Sequence, residues 1–233
     1  MYIKSPPHYH FENRPIKLIT EKGYIMRIKT LVAAMAAVAS LAPIAAHAQA
    51  AAENPWMIRV RAVDLLFQNG QSGIAQTLDL KAQNQVIPEF DVSYFFTKNI
   101  AAELVLTYPQ QVNINMGSAN AGKITALPPS LLLQYHFTDL GAFKPYVGAG
   151  VNYTIFGNRT NFPGLPGTSV SVDQSSLGFA GQVGMDYMFD KNWGLNVDVK
   201  YITMATNVAV NGVNSGKLTL NPWTPGVGVT YKF

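Results

Sequence analysis

The sequence predicts an all-β chain: an eight-stranded antiparallel up-and-down transmembrane β-barrel behind an N-terminal signal peptide. Three observations carry that reading. Charged residues make up 13% of the 233, where ordinary soluble domains run near about 25%. Apolar and polar residues alternate with period two along eight segments, the spacing of strands with one buried face. The connections between those segments are short and long by turns, as in a barrel whose strands run up and down.

The N-terminal region comes first. Residues 26–48 combine a basic start (Arg27, Lys29), an apolar Ala/Val/Leu-rich run and an Ala46-His47-Ala48 cleavage pattern, the three parts of a secretory signal. The apolar run, 31–46, contains Ser40 and Pro43 and is short for a membrane-spanning helix. Translation is expected to begin at Met26, with residues 1–25 a mis-called upstream extension and residues 49–233 the barrel. Residues 1–48 hold six of the 17 basic residues and two of the 13 acids, leaving 11 of each sign in 49–233. The barrel region is therefore electrically neutral, and no basic patch points to nucleic acid. The chain has no Cys, so disulfide scaffolds, thiolate metal sites and thiol catalysis are excluded.

The eight strands are expected at roughly 56–67, 85–97, 100–109, 126–138, 144–156, 175–189, 193–205 and 217–233. Short turns fall at 97–99, 138–143 and 190–192. Longer connections rich in Gly, Asn, Ser, Gln or Pro fall near 68–84, 110–125, 157–174 and 206–216. One parity of these strands carries Trp56, Ile58 and Val60; Phe90, Val92 and Tyr94; Leu195, Val197 and Val199; and Val227, Val229 and Tyr231, with no charge among them. Its aromatics gather near strand ends, as an interfacial girdle requires. The other parity carries small residues such as Gly148, Gly150, Gly184 and Gly228. Small side chains suit the crowded interior of an eight-stranded barrel, whereas a soluble outer surface would be rich in Lys and Glu. The apolar face therefore belongs outside, against lipid.

The chain ends on Gly226-Val-Gly-Val-Thr-Tyr-Lys-Phe233, with Tyr231 and Phe233 on the apolar face. This resembles the carboxy-terminal signal by which outer-membrane barrels are handed to their assembly machinery. Several stretches resemble the OmpW family: Glu103-Leu-Val-Leu-Thr-Tyr-Pro109, Leu127-Pro-Pro-Ser-Leu-Leu-Leu-Gln-Tyr-His-Phe137, Lys144-Pro-Tyr-Val-Gly-Ala-Gly-Val-Asn-Tyr-Thr154, Gly181-Gln-Val-Gly-Met-Asp-Tyr187 and Asn221-Pro-Trp223. They spread over essentially all of 56–233. The resemblance implies a barrel with a narrow, largely apolar lumen that helps small hydrophobic molecules cross the outer membrane. Near 217–223 the parity breaks, since Leu218 and Leu220 fall on the lumen side of Trp223 and Val227. Either a bulge sits at Asn221-Pro222 or those leucines line the pore mouth.

The inward parity also collects charge: Arg59 and Arg61, Glu89 and Asp91, Glu103, and Asp186 facing Asp198 and Lys200. Buried charges must pair or hydrate, so these form either a salt-bridge network closing the lumen or a polar filter. Val105, Leu132, Phe156, Ile202 and Met204, with Met188, share that parity. They form either an apolar path for hydrophobic solutes or local packing. Enzyme chemistry finds little support. His136 is the single His beyond residue 48, and Ser130 lies about 20 Å from it along one strand. Gly178-x-x-Gly181-x-x-Gly184 lies inside a strand rather than opening a helix, so it is not a nucleotide loop.

The leading expectation is a monomeric outer-membrane barrel, both termini periplasmic, acting as a narrow passive channel for small hydrophobic molecules. The alternative is a closed structural or receptor barrel whose loops bind an external partner. Expected partners are outer-membrane lipids and lipopolysaccharide, the barrel assembly machinery and small hydrophobic solutes. No cofactor, metal or nucleic acid is implied.

Overall fold

The computed structural model describes residues 54–157 and 169–233; the expected signal peptide at 26–48 and the extension at 1–25 lie outside the described residues. The strands in chain order are β1 Trp56–Leu65, β2 Gly70–Gly73, β3 Leu80–Ala82, β4 Gln85–Phe95, β5 Ile100–Leu106, β6 Gln110–Met116, β7 Ala119–Leu127, β8 Ser130–His136, β9 Phe143–Gly157, β10 Val170–Val172, β11 Ser175–Met188, β12 Trp193–Ile202, β13 Ala205–Val210, β14 Val213–Thr219 and β15 Trp223–Lys232. A one-turn helix, α1, spans Ile74–Thr77.

Eight of these strands close a barrel. The neighbour order β1-β4-β5-β8-β9-β11-β12-β15 returns to β1 through antiparallel pairing of β15 with β1. The longest seam joins β9 to β11, from Tyr187↔Phe143 to Ser175↔Ile155. Closure pairs each barrel strand with a neighbour on both sides, as a hydrocarbon environment demands of backbone amides, save for one gap toward the loop end. Burial alternates along each strand. On β1, Met57, Arg59, Arg61 and Val63 are buried while Val60 is 54% exposed. The inside-out assignment therefore holds: Leu177, Phe179, Val183, Leu195, Val197 and Val229 face outward.

Aromatic rings ring the short-turn end in edge-to-face contact. Trp56–Tyr94 centroids lie 4.9 Å apart, Tyr135–Phe137 5.1 Å, Phe143–Tyr187 5.0 Å, Trp193–Tyr231 4.7 Å and Tyr231–Phe233 4.9 Å. Tyr201 and Trp223 meet at a tilt with centroids 4.9 Å apart toward the other end. Trp193 and Tyr201 are eight positions apart on β12. At about 3.3 Å per residue and about 40° of tilt they span about 20 Å, close to the lipid-facing apolar band of such barrels.

The loop end departs from the expected strand and loop boundaries. The segments expected as loops near 68–84, 110–125 and 206–216 contain β2, α1, β3, β6, β7, β13 and β14. Most of the expected 157–174 connection lies outside the described residues. These insertions build two sheets above the barrel. One, β9-β7-β6-β3, continues the barrel wall, and the other is β10-β13-β14-β2. The expected strand 126–138 is split by Pro128-Pro129, which cannot donate to a ladder. The expected strand 193–205 ends at Ile202. The expected strand 217–233 breaks at Asn221, whose φ is 32° and whose side-chain oxygen accepts a 2.8 Å bond from the Met204 amide. Leu218 and Leu220 are accordingly buried.

The wall has one discontinuity of note. Pairing of β4 with β5 stops at Phe90↔Leu106 although β4 continues to Gln85. Pairing of β5 with β8 stops at Val105↔Ser130, and β6–β7 pairing starts at Gln110↔Ala126. Thr107, Tyr108 and Pro109 thus have no strand partner on either side among the described residues.

Candidate functional site

The interior divides into two parts along the barrel axis. The half nearer the short turns is polar. Arg59 and Arg61 on β1 lie directly opposite Asp91 and Glu89 on β4. They also reach strands that are not their neighbours. Arg59 donates from Nε and Nη2 to both carboxylate oxygens of Asp186 on β11, at 3.1 and 2.7 Å. Its Nη1 donates to Glu103 on β5 at 3.0 Å. Arg61 donates from Nη2 to Asp91 at 2.6 Å and forms a 3.0 Å ion pair with Glu89. Lys200 on β12 bridges Glu89 and Asp198, each at 2.8 Å.

Since β11 and β4 sit on opposite sides of β1, these contacts cross the lumen rather than run along the wall. Five carboxylates meet three cations there, all buried. Stripped of partners, any one of these charges would be costly at this depth; together they form a plug of mutually paired charges. Asp186, expected to face Asp198 and Lys200, instead lies opposite Asn196, while Lys200 lies opposite Gln182. That register delivers Asp186 to Arg59.

Neutral side chains that sequence reasoning passed over complete the plug. The Tyr146 hydroxyl donates to Asp198 at 3.0 Å and accepts from Asn196 Nδ2 at 3.0 Å. The Arg59 guanidinium sits 4.7 Å above its ring. Tyr146 fits because Gly184 faces it: a Cβ there would stand 2.4 Å from the ring. A chain of amides runs beside it. Gln134 Nε2 donates to Gln182 at 2.9 Å, and Gln182 Nε2 donates to Asp198 at 2.8 Å. Gln134 is thereby oriented with its oxygen toward His136 Nε2, 2.9 Å away, so that nitrogen carries the proton. His136 is thus engaged with an amide and packed between Phe95 and Tyr146. Parity placed Tyr146 inward, and the small residues around it in sequence were the one sign that something large must fill the space.

The half nearer the loops is mainly apolar, its buried Ser130, Asn152 and Thr154 hydrogen-bonded to one another on one side of the wall. Val105, Leu132, Phe156, Ile202 and Met204 belong to one buried cluster that continues upward through Leu80, Ile114, Ile124, Val208, Leu218 and Leu220. Met188 stands apart, half-buried near Gly194 at the short-turn end. Where the two upper sheets face each other they enclose an apolar cavity of ≈ 20 Å³, lined by Leu80, Ile114, Ala121, Ile124, Val170, Val172, Thr206, Val208 and Leu218. That is room for about one water and no solute. The apolar column is filled by its own side chains, and Ile202 marks where it meets the polar plug at Lys200.

The family profile of OmpW matches residues 55–233. The outer-membrane protein y4mB of Sinorhizobium fredii is 46% identical over 79% of this chain and 82% of its own length. Outer membrane protein W of Escherichia coli is 32% identical over 88% of this chain and all of its own length. Among solved structures, the outer membrane protein OprG from Pseudomonas aeruginosa superposes with a TM-score of 0.64 at 30% identity, covering 76% of this chain and 95% of that one.

Proposed function

The chain belongs to the OmpW family of outer-membrane β-barrel proteins, and on that premise we propose that it is a narrow passive channel for small hydrophobic molecules. The observation that carries this reading is the continuous apolar column over a plug of paired charges. A water-filled pore would waste buried Val105, Leu132, Phe156, Ile202 and Met204; a hydrophobic solute exchanges contacts with them at little cost. In this reading both termini and the short turns face the periplasm, and the upper sheets face outward. Solutes enter among the upper sheets, part the apolar side chains and descend as far as Ile202. The plug of Arg59, Arg61, Glu89, Asp91, Glu103, Asp186, Asp198 and Lys200 bars the axial way on, because moving a hydrocarbon through it breaks charge pairs that nothing else satisfies. The unpaired stretch Thr107–Pro109, flanked by Pro88 and Pro128-Pro129, supplies a way out sideways into the membrane. Tyr231 and Phe233 serve as the strand-end signal for the assembly machinery, and lipids and lipopolysaccharide surround a monomer.

The test is Ile202→Asp in cells with an intact lipopolysaccharide layer, read by uptake of the hydrophobic dye N-phenyl-1-naphthylamine. With barrel amounts matched, uptake falls about tenfold or more, as a buried carboxylate in the path demands. Uptake equal to wild type overturns the reading. One observation favours the rival, a closed barrel acting through its loops: the column is filled in this structure. That rival predicts unchanged uptake for every interior variant.

A further inference from the structure

The two upper sheets must separate somewhere for a solute to reach the apolar column, and one edge is built differently from the rest. β2 pairs with β14, and β3 pairs with β6, but no backbone ladder joins β2 to β3 among the described residues. Side chains span the junction instead. Asn69 accepts from the Ala82 amide at 2.8 Å and donates to the Ala82 carbonyl at 3.0 Å. Gln71 donates to the Leu80 carbonyl at 2.6 Å. Asn84 accepts from the Phe67 amide at 2.9 Å. The pairs 67/84, 69/82 and 71/80 follow the spacing of an antiparallel hairpin whose tip is α1, with three side chains standing in for the missing backbone bonds, the last two of them at β2 and β3 themselves.

What lies behind this seam matters. Gln71 is in register with Leu218 on β14, and Leu218 and Leu80 both line the apolar cavity. Separating Gln71 from Leu80 therefore opens straight onto the apolar interior, while the ladders β2–β14 and β3–β6 stay intact. The strap between the two strands is also jointed. Asn69, Gly73 and Asp79 all have positive φ, at 56°, 59° and 47°, at its start, middle and end. At Gly73 a Cβ would stand 2.3 Å from the Ser215 carbonyl oxygen, so close docking of the strap on β14 requires glycine there. Ala75 on α1 is fully buried against the apolar cluster.

We propose that the β2/β3 seam is the solute entrance, held shut by Asn69 and Gln71. This rests on the channel reading above. Local opening is cheapest where few bonds hold and the backbone ladder is absent. A few side-chain bonds can release and re-form without unzipping a strand.

The chain has no cysteine, which permits a clean test. Ser72 and Lys81 are both exposed on the outer face of the seam and stand on its opposite sides. In S72C/K81C a short bis-methanethiosulfonate joins the strands and a reducing agent frees them. Dye uptake by cells carrying the cross-linked barrel falls to the level of cells without it, and reduction restores it. Conversely, Asn69→Gly with Gln71→Ala, which keeps the positive φ and removes three bonds across the seam, raises uptake at least about fivefold, the factor that a single net hydrogen bond of ordinary strength represents. Heat-modifiable migration in detergent gels confirms that each variant is folded. Wild-type uptake by the cross-linked barrel overturns the seam as entrance and leaves the channel reading standing. Wild-type protein that gives no uptake above barrel-free cells overturns both.

Discussion

The polar and apolar halves of the interior sit inside one continuous wall, yet they are assembled by different logic. In the polar half, Arg59 on β1 needs Asp186 from β11 and Glu103 from β5, so each charge depends on several strands at once. In the apolar half, Ile124, Val208 and Leu218 come from insertions that need only be hydrophobic and of suitable size. The polar half is therefore specific and brittle, the apolar half tolerant and separable. A passage that must admit varied hydrophobic molecules is better served by the second kind of packing, and a barrier by the first.

The largest effect should come from breaking the brittle half. Arg59→Met leaves Asp186 and Glu103 buried without their main partner and lowers unfolding stability by about 3–5 kcal/mol. Arg59→Lys keeps the charge but loses the two-point contact with Asp186, and costs less. Urea unfolding of the refolded barrel in detergent micelles, followed by tryptophan fluorescence, measures both. Equal stability of Arg59→Met and wild type would mean that water, not ion pairing, fills the short-turn half.

A smaller effect tests the wall that both halves share. Val197 faces lipid midway between Trp193 and Tyr201, and Leu177 faces outward beyond Tyr201 toward the loops. Val197→Arg costs about 2–4 kcal/mol and Leu177→Arg about 0–1 kcal/mol. The same unfolding titration in lipid vesicles reads the difference. Similar costs at the two positions would displace the membrane from the belt of aromatic rings.

The wall was legible because its signal is local. Val197, Val199 and Tyr201 alternate with Asp198 and Lys200, and a strand's parity needs no knowledge of its neighbours. The inward placement of Arg59 or Lys200 follows from the same alternation. Their partners do not: that Asp186 meets Arg59 rather than Lys200 depends on strand order and stagger, which two-residue periodicity does not encode. Tyr146 was missed for the same reason, since the space it fills is made by Gly184 on another strand. At the loop end, Val112, Ile114 and Met116 alternate as plainly as any barrel strand, but intervening Asn113 and Asn115 and the following Gly117 gave them a turn-like composition. Their pairing to β3 and β7 is a tertiary outcome that overrides weak local preference.

The smallest expected effect lies outside both halves, at the short-turn rim, where Lys98 hydrogen-bonds Asp139 across two turns. That bond, together with the lysine's charge, holds the Asp139 carboxyl below its ordinary value of 3.8. A lowered folded-state value means any stabilisation is present above the ordinary carboxylate range and is lost as pH falls through the lower value. Both side chains are mostly in water, at 65% and 80% exposure, so solvent and salt screen the pair nearly completely. Asp139→Asn should therefore leave the thermal unfolding midpoint unchanged at pH 7 and at pH 3, while Arg59→Met lowers it at pH 7. Geometry alone ranks the rim pair with the plug's contacts; burial is what separates them. If Asp139→Asn were as costly as Arg59→Met, ion-pair geometry rather than depth in the barrel would set the strength of these contacts, and the brittleness assigned to the polar half would lose its physical basis.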